Sequence, residues 1–253
     1  MLAAERRMRI LQLMEKNQSV KVADLCERFG VTDETIRRDL SQLESEGLID
    51  RTHGGAVLNQ RLRVAYPYHL RQTQSPKEKQ LIGKAAAELV RDGAAVILDN
   101  GTTTFEVARC LRDKKALTVV TTSPLIALEM ADNKDFTVIM AGGVLDSDSK
   151  ALVGPDAEAF LERFRVDIAF IGASGVSLER GFTASNVYDA QIKTAMIKAS
   201  TKPYVVADGT KVGASSLVCF SQISEVHGLV TDRSANEALL AEMRDLGIDI
   251  VLA

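Results

Sequence analysis

The sequence has few cysteines, no excess of basic residues and no long apolar run. Only three cysteines occur in 253 residues. Cys26, Cys110 and Cys219 stand far apart and lack the spacing of a zinc site or a redox pair. Each is therefore expected to be a reduced thiol that fills a core. We predict no metal site, and we expect a reducing, cytoplasmic compartment.

The balanced charge and the short apolar runs exclude two further classes. A net charge of −3 argues against a protein that coats nucleic acid or lies on a membrane surface. No run approaches the roughly 18 apolar residues of a membrane-spanning helix, and charges interrupt any signal-peptide core at the N-terminus. We therefore expect a soluble protein that is not exported.

Several common catalytic motifs are also missing. The chain contains no GxSxG elbow, no HExxH pair and no Walker A loop. Asp99, Asp189 and Asp208 are possible bases, but no strand end pairs two carboxylates in sequence, as proton-transfer enzymes often do. No catalytic residue is assigned.

The most informative feature that the sequence does contain is a helix pattern that starts at Thr32. This threonine suits an N-cap, and apolar residues recur at helical spacing as far as Leu43, before Gly47 ends the pattern. An earlier short helix, near 22–29, and the glycine turn at Gly30 complete a helix-turn-helix pattern. The polar side chains outside the apolar stripe, which we expect to contact DNA, are Thr32, Thr35, Arg37, Arg38 and Ser41. A solvated helix face is the alternative for the two arginines.

Two short strands joined by a Gly-Gly turn follow this helix, which is typical of the wing of a winged helix-turn-helix. Arg51, His53 and Gly54 lie near the predicted tip and are expected to contact DNA. Residues 1–58 hold nine basic and ten acidic residues, so DNA binding must depend on local placement of charge.

A polar segment without clean periodicity, residues 59–74, is predicted to be a linker. Ser75, Pro76 and Glu78 then have the pattern of a capping box with proline at the first helical position. The helix that they begin is expected to run to about Arg91.

Short apolar runs alternate with helical patterns through the rest of the chain. This alternation predicts a mostly parallel sheet covered on both faces, with segments 144–153 and 177–184 adding antiparallel strands or loops. The chain thus divides into a winged helix-turn-helix (1–58), a linker (59–74) and a larger Rossmann-like α/β domain (75–253). The predicted strands are 94–99, 117–121, 136–141, 166–171, 203–208, 226–231 and 248–252.

Glycines and hydroxyl side chains follow five of these strands. Ligands bind beyond the carboxyl ends of strands in an open α/β sheet, and glycines, hydroxyls and helix N-termini together suit a phosphate. Lys211 supplies a cation, while Asp99 and Asp208 can accept hydrogen bonds from sugar hydroxyls. Loop turns, and a surface ion pair between Asp208 and Lys211, are the alternatives. The residues expected to bind a phosphorylated sugar are Asp99, Gly101, Thr102, Thr103, Thr104, Thr122, Ser123, Gly142, Gly143, Gly172, Ser174, Asp208 and Lys211.

Taken together, these motifs resemble the DeoR family of bacterial transcriptional regulators, and the resemblance covers nearly the whole chain. In the N-terminal part it is carried by Arg6, Ile10, Met14, Thr32, the run TIRRDL at 35–40 and the run RTHGGA at 51–56. In the remainder it is carried by Glu78-Lys79, Ile82-Gly83, LDNGTTT at 98–104, Gly142-Gly143, LVG at 152–154, FIG at 170–172 and DGTK at 208–211.

The resemblance implies a sensor domain similar to ribose-5-phosphate isomerase that binds a phosphorylated sugar without converting it. Ala173-Ser174 stands where the isomerase-like enzymes carry a carboxylate. Asp189 replaces a more usual glutamate, Gln191 a second acid, and Thr122 the asparagine of a Thr-Asn-Ser run. These departures bear on which sugar is bound.

We therefore expect a regulator, by analogy a repressor of a sugar-metabolism operon. It would bind operator DNA as a homo-oligomer, a dimer or tetramer, under the control of a phosphorylated sugar and without a cofactor. The first alternative is an enzyme, a sugar-phosphate isomerase or related catalyst with an accessory N-terminal domain. A protein-binding adaptor is the second alternative.

Overall fold

A computed structural model of the chain describes residues 2–17, 19–45, 48–58 and 68–253. The chain divides into two compact units, Met1–Tyr66 and Pro67–Ala253. The segment 59–67, which belongs to the predicted linker, and Gly47, the predicted helix stop, lie outside the described residues.

The N-terminal unit combines three helices with a small antiparallel sheet. Its central strand is β3, with β1 and β2 on either side. Ile10 and Met14 of α1 and Ile36 and Leu40 of α3 are completely buried, so the apolar stripes of these helices form the core. The elements are α1 (Ala3–Asn17), β1 (Ser19–Lys21), α2 (Val22–Phe29), α3 (Asp33–Ser45), β2 (Ile49–Thr52) and β3 (Gly55–Leu58).

The turn between α2 and α3 depends on a glycine. Gly30 has φ 63°, in the left-handed region, and its N–H donates to the carbonyl of Cys26 at the end of α2. Residues with a Cβ rarely adopt this conformation, so glycine is the natural end of α2.

The larger unit is built on a seven-stranded parallel sheet. Two single helical turns, Gly209–Lys211 and Ile223–Glu225, complete it. The elements in chain order are α4 (Tyr68–Thr73), α5 (Pro76–Glu88), β4 (Ala95–Leu98), α6 (Thr102–Cys110), β5 (Thr118–Thr121), α7 (Pro124–Ala131), β6 (Thr137–Met140), β7 (Val144–Asp146), β8 (Ala151–Val153), α8 (Pro155–Leu161), β9 (Val166–Gly172), β10 (Gly175–Ser177), β11 (Gly181–Ala184), α9 (Val187–Lys198), β12 (Ser200–Val206), β13 (Val218–Ser221), β14 (Gly228–Thr231), α10 (Glu237–Asp245) and β15 (Asp249–Leu252).

The strand order is β15-β14-β12-β9-β4-β5-β6. The chain moves outward from β4 to β5 and β6 on one side, and then returns to build β9, β12, β14 and β15 on the other. The direction of winding therefore changes between β4 and β9, and this is where a ligand crevice is expected in such a sheet.

Both faces of the sheet are buried, which explains the continuous apolar runs. In β4, Ile97 belongs to the core on one face, whereas Val96 and Leu98 belong to the core on the other. The remaining strands form an antiparallel hairpin, β7-β8, and an antiparallel three-stranded sheet in the order β10-β11-β13. The predicted fold class, a winged helix-turn-helix with a mostly parallel α/β unit, is confirmed.

One local prediction, the capping box at Ser75, is wrong. Ser75 does not form the capping box, because its φ of 44° places it in the left-handed region and its side chain makes no capping hydrogen bond. The C-terminal part of the predicted linker, Tyr68–Thr73, forms α4, with Tyr68 and Leu70 buried. In addition, α5 ends at Glu88, short of Arg91.

Candidate DNA-binding surface and sensor site

The first turn of α3 places the predicted DNA-contacting residues. Thr32 precedes the helix, and its Oγ1 accepts a hydrogen bond from the backbone N–H of Thr35 at 3.4 Å. The two threonine hydroxyl oxygens lie 2.9 Å apart. Thr32 thus serves as the predicted N-cap.

Both arginines of α3 lie on the surface beside an acid of the first turn. Arg37 Nε donates to Asp33 Oδ1, and this hydrogen bond raises the pKa of the Arg37 guanidinium. Arg38 Nη2 lies 3.7 Å from Glu34 Oε1, with the two side chains 83% and 86% exposed. The near-neutral charge of residues 1–58 therefore arises partly from acids that lie next to these arginines.

The wing is joined to α3 through Arg51. Its Nη1 donates to Ser41 Oγ at 3.0 Å, and its backbone N–H donates to Glu44 Oε1 at 3.3 Å. Two residues predicted separately as DNA contacts, Ser41 and Arg51, are therefore in direct contact with each other.

The Gly-Gly turn has one exposed and one constrained glycine. His53 and Gly54 lie exposed in the turn between β2 and β3, and a Cβ on Gly54 would meet nothing within 4 Å. A Cβ on Gly55 would lie 1.9 Å from the carbonyl oxygen of Val20. Gly55 is thus needed for the pairing of β3 with β1.

Asp39, inside the TIRRDL run, faces inward. It is 2% exposed, and its Oδ2 accepts from Arg6 Nε of α1. Arg7 Nη1 lies 3.9 Å from its other oxygen. The residues fix α3 against α1, a role that sequence reasoning missed because nothing local pairs residues 33 positions apart.

In the larger unit, Asp99 lies at the end of β4, where the direction of winding changes. It is completely buried. Its Oδ2 accepts from the backbone N–H of Gly172, at the end of β9, at 2.9 Å, and also from Lys193 Nζ of α9. Lys193 Nζ lies 3.4 Å from Asp189 Oδ1 as well. We call Asp99, Asp189 and Lys193 the buried triad.

The pKa values of Lys193 and Asp189 in the buried triad are both raised. Burial alone lowers the pKa of Lys193, but the carboxylates of Asp189 and Asp99 outweigh it, and the pKa is raised. The pKa of Asp189 is also raised, chiefly by burial and further by the charge of Asp99, because Lys193 and Arg71 offset these effects only in part. Arg71 of α4 therefore lies within electrostatic reach of the triad.

The loop after β4 leads into the N-terminus of α6. Gly101 is the cap residue. Thr102 and Thr103 are 7% exposed, and Thr104 is completely buried. Thr104 Oγ1 lies 2.7 Å from both the Asp99 and the Gly101 carbonyl oxygens, so this hydroxyl shapes the loop itself.

The β7-β8 hairpin borders the ends of β4 and β5. The backbone N–H of Leu152 donates to the Thr122 carbonyl at 2.8 Å, and Asn100 Nδ2 donates to the Ser149 carbonyl at 3.3 Å. Thr122 is completely buried. Ser123 caps α7 by accepting from the backbone N–H of Ile126.

Three other predicted site residues, Gly142, Gly143 and Ser174, lie in loops that follow β6 and β9. Gly142 is exposed. Gly143 has φ 132°, and a Cβ there would lie 2.8 Å from the Val153 carbonyl oxygen, so this glycine permits the hairpin. The backbone N–H of Ser174 donates to the Thr183 carbonyl at 2.8 Å.

The DGTK turn brings a second set of charges to the strand ends. Asp208 is 3% exposed, and its Oδ1 accepts from the backbone N–H of Thr210 at 3.1 Å, so its carboxylate caps the turn. Asp232 Oδ2 accepts from the backbone N–H of Gly209 at 2.6 Å. Lys211, half-buried, is the last residue of the turn.

Lys79, which sequence reasoning did not assign to the site, lies close to this turn. Its Nζ donates to the carbonyls of Gln74, at 2.7 Å, and Arg71. Burial lowers its pKa to about 8, with Lys211 and Arg71 also lowering it and Asp208 raising it. Lys79, Asp208 and Lys211 are thus electrostatic neighbours, and α4 is attached to them through Lys79.

The sequence contains one signal that points to the triad. Asp189 and Lys193 are four residues apart, the spacing of an ion pair on one helix face. Their pairing with Asp99 depends on the sheet topology, which brings α9 over the end of β4. Within the described part of the chain, no group of three His, Cys, Asp or Glu side chains is placed to hold a metal ion, and no helix is long and apolar enough to cross a membrane.

Comparison with known proteins agrees with this two-part organisation. A family model described as "DeoR-like helix-turn-helix domain" matches residues 6–61. A second, described as "DeoR C terminal sensor domain", matches residues 74–233.

Curated relatives match over almost their whole length. The chain is 37% identical to "HTH-type transcriptional regulator GlpR" of Haloferax volcanii, over 99% of this chain and 98% of the relative. It is 31% identical to "Glycerol-3-phosphate regulon repressor" of Escherichia coli K12, over 96% of each. Among solved structures, ribose 5-phosphate isomerase A from Methanocaldococcus jannaschii gives a TM-score of 0.41 at 18% identity over 55% of each chain, which carries no functional inference.

A winged helix-turn-helix followed by an α/β sensor unit defines a ligand-responsive transcriptional regulator. The chain belongs to the DeoR family of transcriptional regulators. This membership confirms the regulator interpretation over the sugar-phosphate isomerase alternative.

Proposed function

We propose that the protein represses genes of sugar or polyol metabolism and that a phosphorylated sugar, bound at the strand ends of the larger unit, controls its binding to operator DNA. The observation that carries the proposal is the buried triad at the switch point of the sheet, together with Lys79 and Lys211 beside Asp208 at the end of β12. Burial of charges costs free energy, and ionisable groups with perturbed pKa values are concentrated at functional sites. The similarity to the glycerol-3-phosphate regulon repressor of Escherichia coli supports the same class of effector.

On the DNA side, α3 would enter the major groove, with Arg37, Arg38 and Thr35 contacting bases or phosphates. The wing around Arg51, His53 and Gly54 would hold the backbone. One short helix reads few base pairs, so we expect the protein to bind as at least a dimer.

On the effector side, the N-terminus of α6 at Gly101–Thr104 offers backbone N–H groups and positive potential to a phosphate. Lys211 would add a positive charge, and Asp99 and Asp208 would accept hydrogen bonds from hydroxyl groups. No cofactor is needed for such a switch. A coupling free energy of about 1–3 kcal/mol would change operator affinity by roughly 5–150-fold.

The segment 59–74 would transmit the change between the two units. The proposed setting is the cytoplasm, where a transcriptional regulator meets DNA. Domain bounds of 1–58 and 75–253 are part of this proposal. The terminal part of the segment, α4, is hydrogen-bonded to Lys79 through the Arg71 carbonyl. Any shift of Lys79 on effector binding would therefore move α4.

The DNA arm of the proposal is tested with the Arg37→Ala/Arg38→Ala double variant. Duplexes selected from random DNA by the wild-type protein serve as probes. The double variant should lose binding by at least roughly 100-fold while its thermal unfolding stays unchanged. Normal binding by the double variant would show that α3 is not the reading helix.

The effector arm is tested by thermal unfolding in the presence of pentose, hexose, amino-sugar and glycerol phosphates. A ligand that binds the folded state raises Tm by mass action. Lys211→Ala should remove the shift, whereas Lys202→Ala, an exposed lysine of β12, should retain it. If no phosphorylated compound raises Tm or alters DNA binding, the proposed effector class is wrong.

A further inference from the structure

The outermost line of α3 is formed by Glu34, Arg38, Ser41 and Ser45. With about 100° between successive residues, these four lie within roughly 60° of one another, opposite the completely buried Ile36, Leu40 and Leu43. All four are exposed. We call them the outer line of α3.

The two arginines differ in their position relative to this line. Arg38 belongs to it and is 83% exposed, whereas Arg37 lies to one side, is 51% exposed and is hydrogen-bonded to Asp33. When a recognition helix lies in the major groove, its outer line faces the base edges and its flanks face the phosphate walls. Arg38 is therefore placed to read a base and Arg37 to contact the backbone.

Glu34 has the same outward position as Arg38, one helical turn closer to the N-terminus. Residues at this end of a recognition helix contact base edges. A carboxylate there is repelled by phosphates, so it can increase the affinity for DNA only by accepting hydrogen bonds from bases. In the major groove, the exocyclic amine of cytosine is the usual donor to glutamate, and guanine is the usual partner of arginine.

The Glu34–Arg38 ion pair does not prevent this use. Its atoms are 3.7 Å apart, and both side chains are almost fully exposed, so the pair is weak and separates readily.

We propose that Glu34 is a specificity-determining residue that accepts a hydrogen bond from cytosine, next to the guanine read by Arg38. The inference rests on the proposed DNA-binding function and adds to it a residue and a base. It requires each half-site of the operator to contain a cytosine and a guanine at adjacent base-pair positions. Glu34 as a plain counter-ion of Arg38 is the competing role.

The test is selection of binding sites from random duplex DNA by the full-length protein, followed by affinity measurement on the selected site. The wild-type protein should select a motif with the adjacent cytosine and guanine. Glu34→Ala should lose the preference for cytosine and weaken binding to the wild-type site by roughly 10-fold. Glu34→Gln should shift the preference at that position towards adenine, since glutamine pairs with adenine.

Companion variants separate the roles of the arginines. Arg38→Ala should lose the preference for guanine at the neighbouring position. Arg37→Ala should weaken binding to all sequences equally and reduce the salt dependence by the equivalent of about one phosphate contact. Glu27→Gln, which removes the same charge from an exposed position on α2, is the matched control and should change neither motif nor affinity.

Each outcome decides the proposal. If the Glu34 variants select the wild-type motif and bind every duplex more tightly, Glu34 is only a counter-ion and the proposal is wrong. A wild-type motif without the adjacent cytosine and guanine also overturns it, and leaves the DNA-binding function intact. If the wild-type protein enriches no sequence at all, the proposed function itself fails.

Discussion

Lys193 and Asp99 form a buried ion pair, although 94 residues separate them in the chain. Their side chains are 5% and 0% exposed. The contact joins the middle of α9 to the end of β4, and the Asp99 carboxylate also accepts from the backbone of β9. A single carboxylate thus holds three segments together at the switch point of the sheet.

Removing the lysine should destabilise the larger unit. Lys193→Met leaves Asp99 and Asp189 buried without their cation, and loss of one partner of a buried pair costs about 3–5 kcal/mol. Urea unfolding of the full chain, followed by hydrogen exchange of β4 and β9, measures this loss. Lys198→Met, on the exposed face of the same helix, should leave the free energy of unfolding within about 0.5 kcal/mol of wild type. Equal stability of the two variants would contradict a structural role for the pair.

Asp39→Ala should abolish DNA binding indirectly. The change leaves Arg6 without its buried partner, so the N-terminal unit should lose about 3–5 kcal/mol. Hydrogen exchange in α1 and α3 should accelerate, in contrast to the Arg37→Ala/Arg38→Ala variant, which should lose DNA binding without such a change. Asp24→Ala, an exposed position on α2, is the control. Unchanged exchange in Asp39→Ala would contradict a structural role for the residue, and loss of DNA binding without faster exchange would point to a direct contact with DNA.

The two glycines of the wing turn should respond differently to alanine. Gly55→Ala forces the backbone of β1 or β3 to move, because the new Cβ would lie 1.9 Å from the Val20 carbonyl oxygen. We expect a loss of about 1–3 kcal/mol, as for overpacking elsewhere. Gly54→Ala has open space around the new Cβ and should unfold as wild type does. Thermal unfolding compares them, and equal Tm values would show that the β1-β3 pairing does not need glycine. Any effect of Gly54→Ala on DNA affinity then reports contact with DNA.

Lys79 should make the larger unit more stable as the pH rises from about 8 to about 10.5. Burial lowers its pKa from 10.5 to about 8, so in this window the unfolded chain binds more protons than the folded chain, and a rise in pH favours folding. The contribution is on the order of 3 kcal/mol across the window. Lys79→Met should remove it, whereas Lys84→Met, exposed on the same helix, should not. Urea unfolding at pH 8, 9 and 10 measures the slope, and identical slopes in wild type and Lys79→Met would refute the prediction.

Patterns that act over a few residues were predictable from the sequence. The buried stripe of α3, the N-cap at Thr32 and the apolar parallel strands depend on local spacing and on burial of both sheet faces. The position of the candidate ligand site at the strand ends was also predictable, because parallel strands place their carboxyl ends on one edge of the sheet.

Contacts between distant segments were not predictable in the same way. Nothing near Lys193 in the sequence identifies Asp99 as its partner, because only the folded sheet brings the two together. In the same way, the partner of Asp39 is Arg6 on another helix.

The predicted capping box at Ser75 was wrong although all of its residues are close in sequence. The sequence matches a capping box, but Ser75 has a left-handed backbone and makes no capping hydrogen bond, and the Lys79 side chain binds the carbonyls of Arg71 and Gln74 just before it.

The strand order has a consequence for the synthesis of the protein. All three strands of the N-terminal unit are complete by residue 58, whereas β4, at the switch point, cannot pair with β9 until the chain has reached residue 172. At ordinary translation rates this interval lasts on the order of ten seconds. The helix-turn-helix unit can therefore fold while the chain is still being made, before the central sheet of the larger unit is able to close.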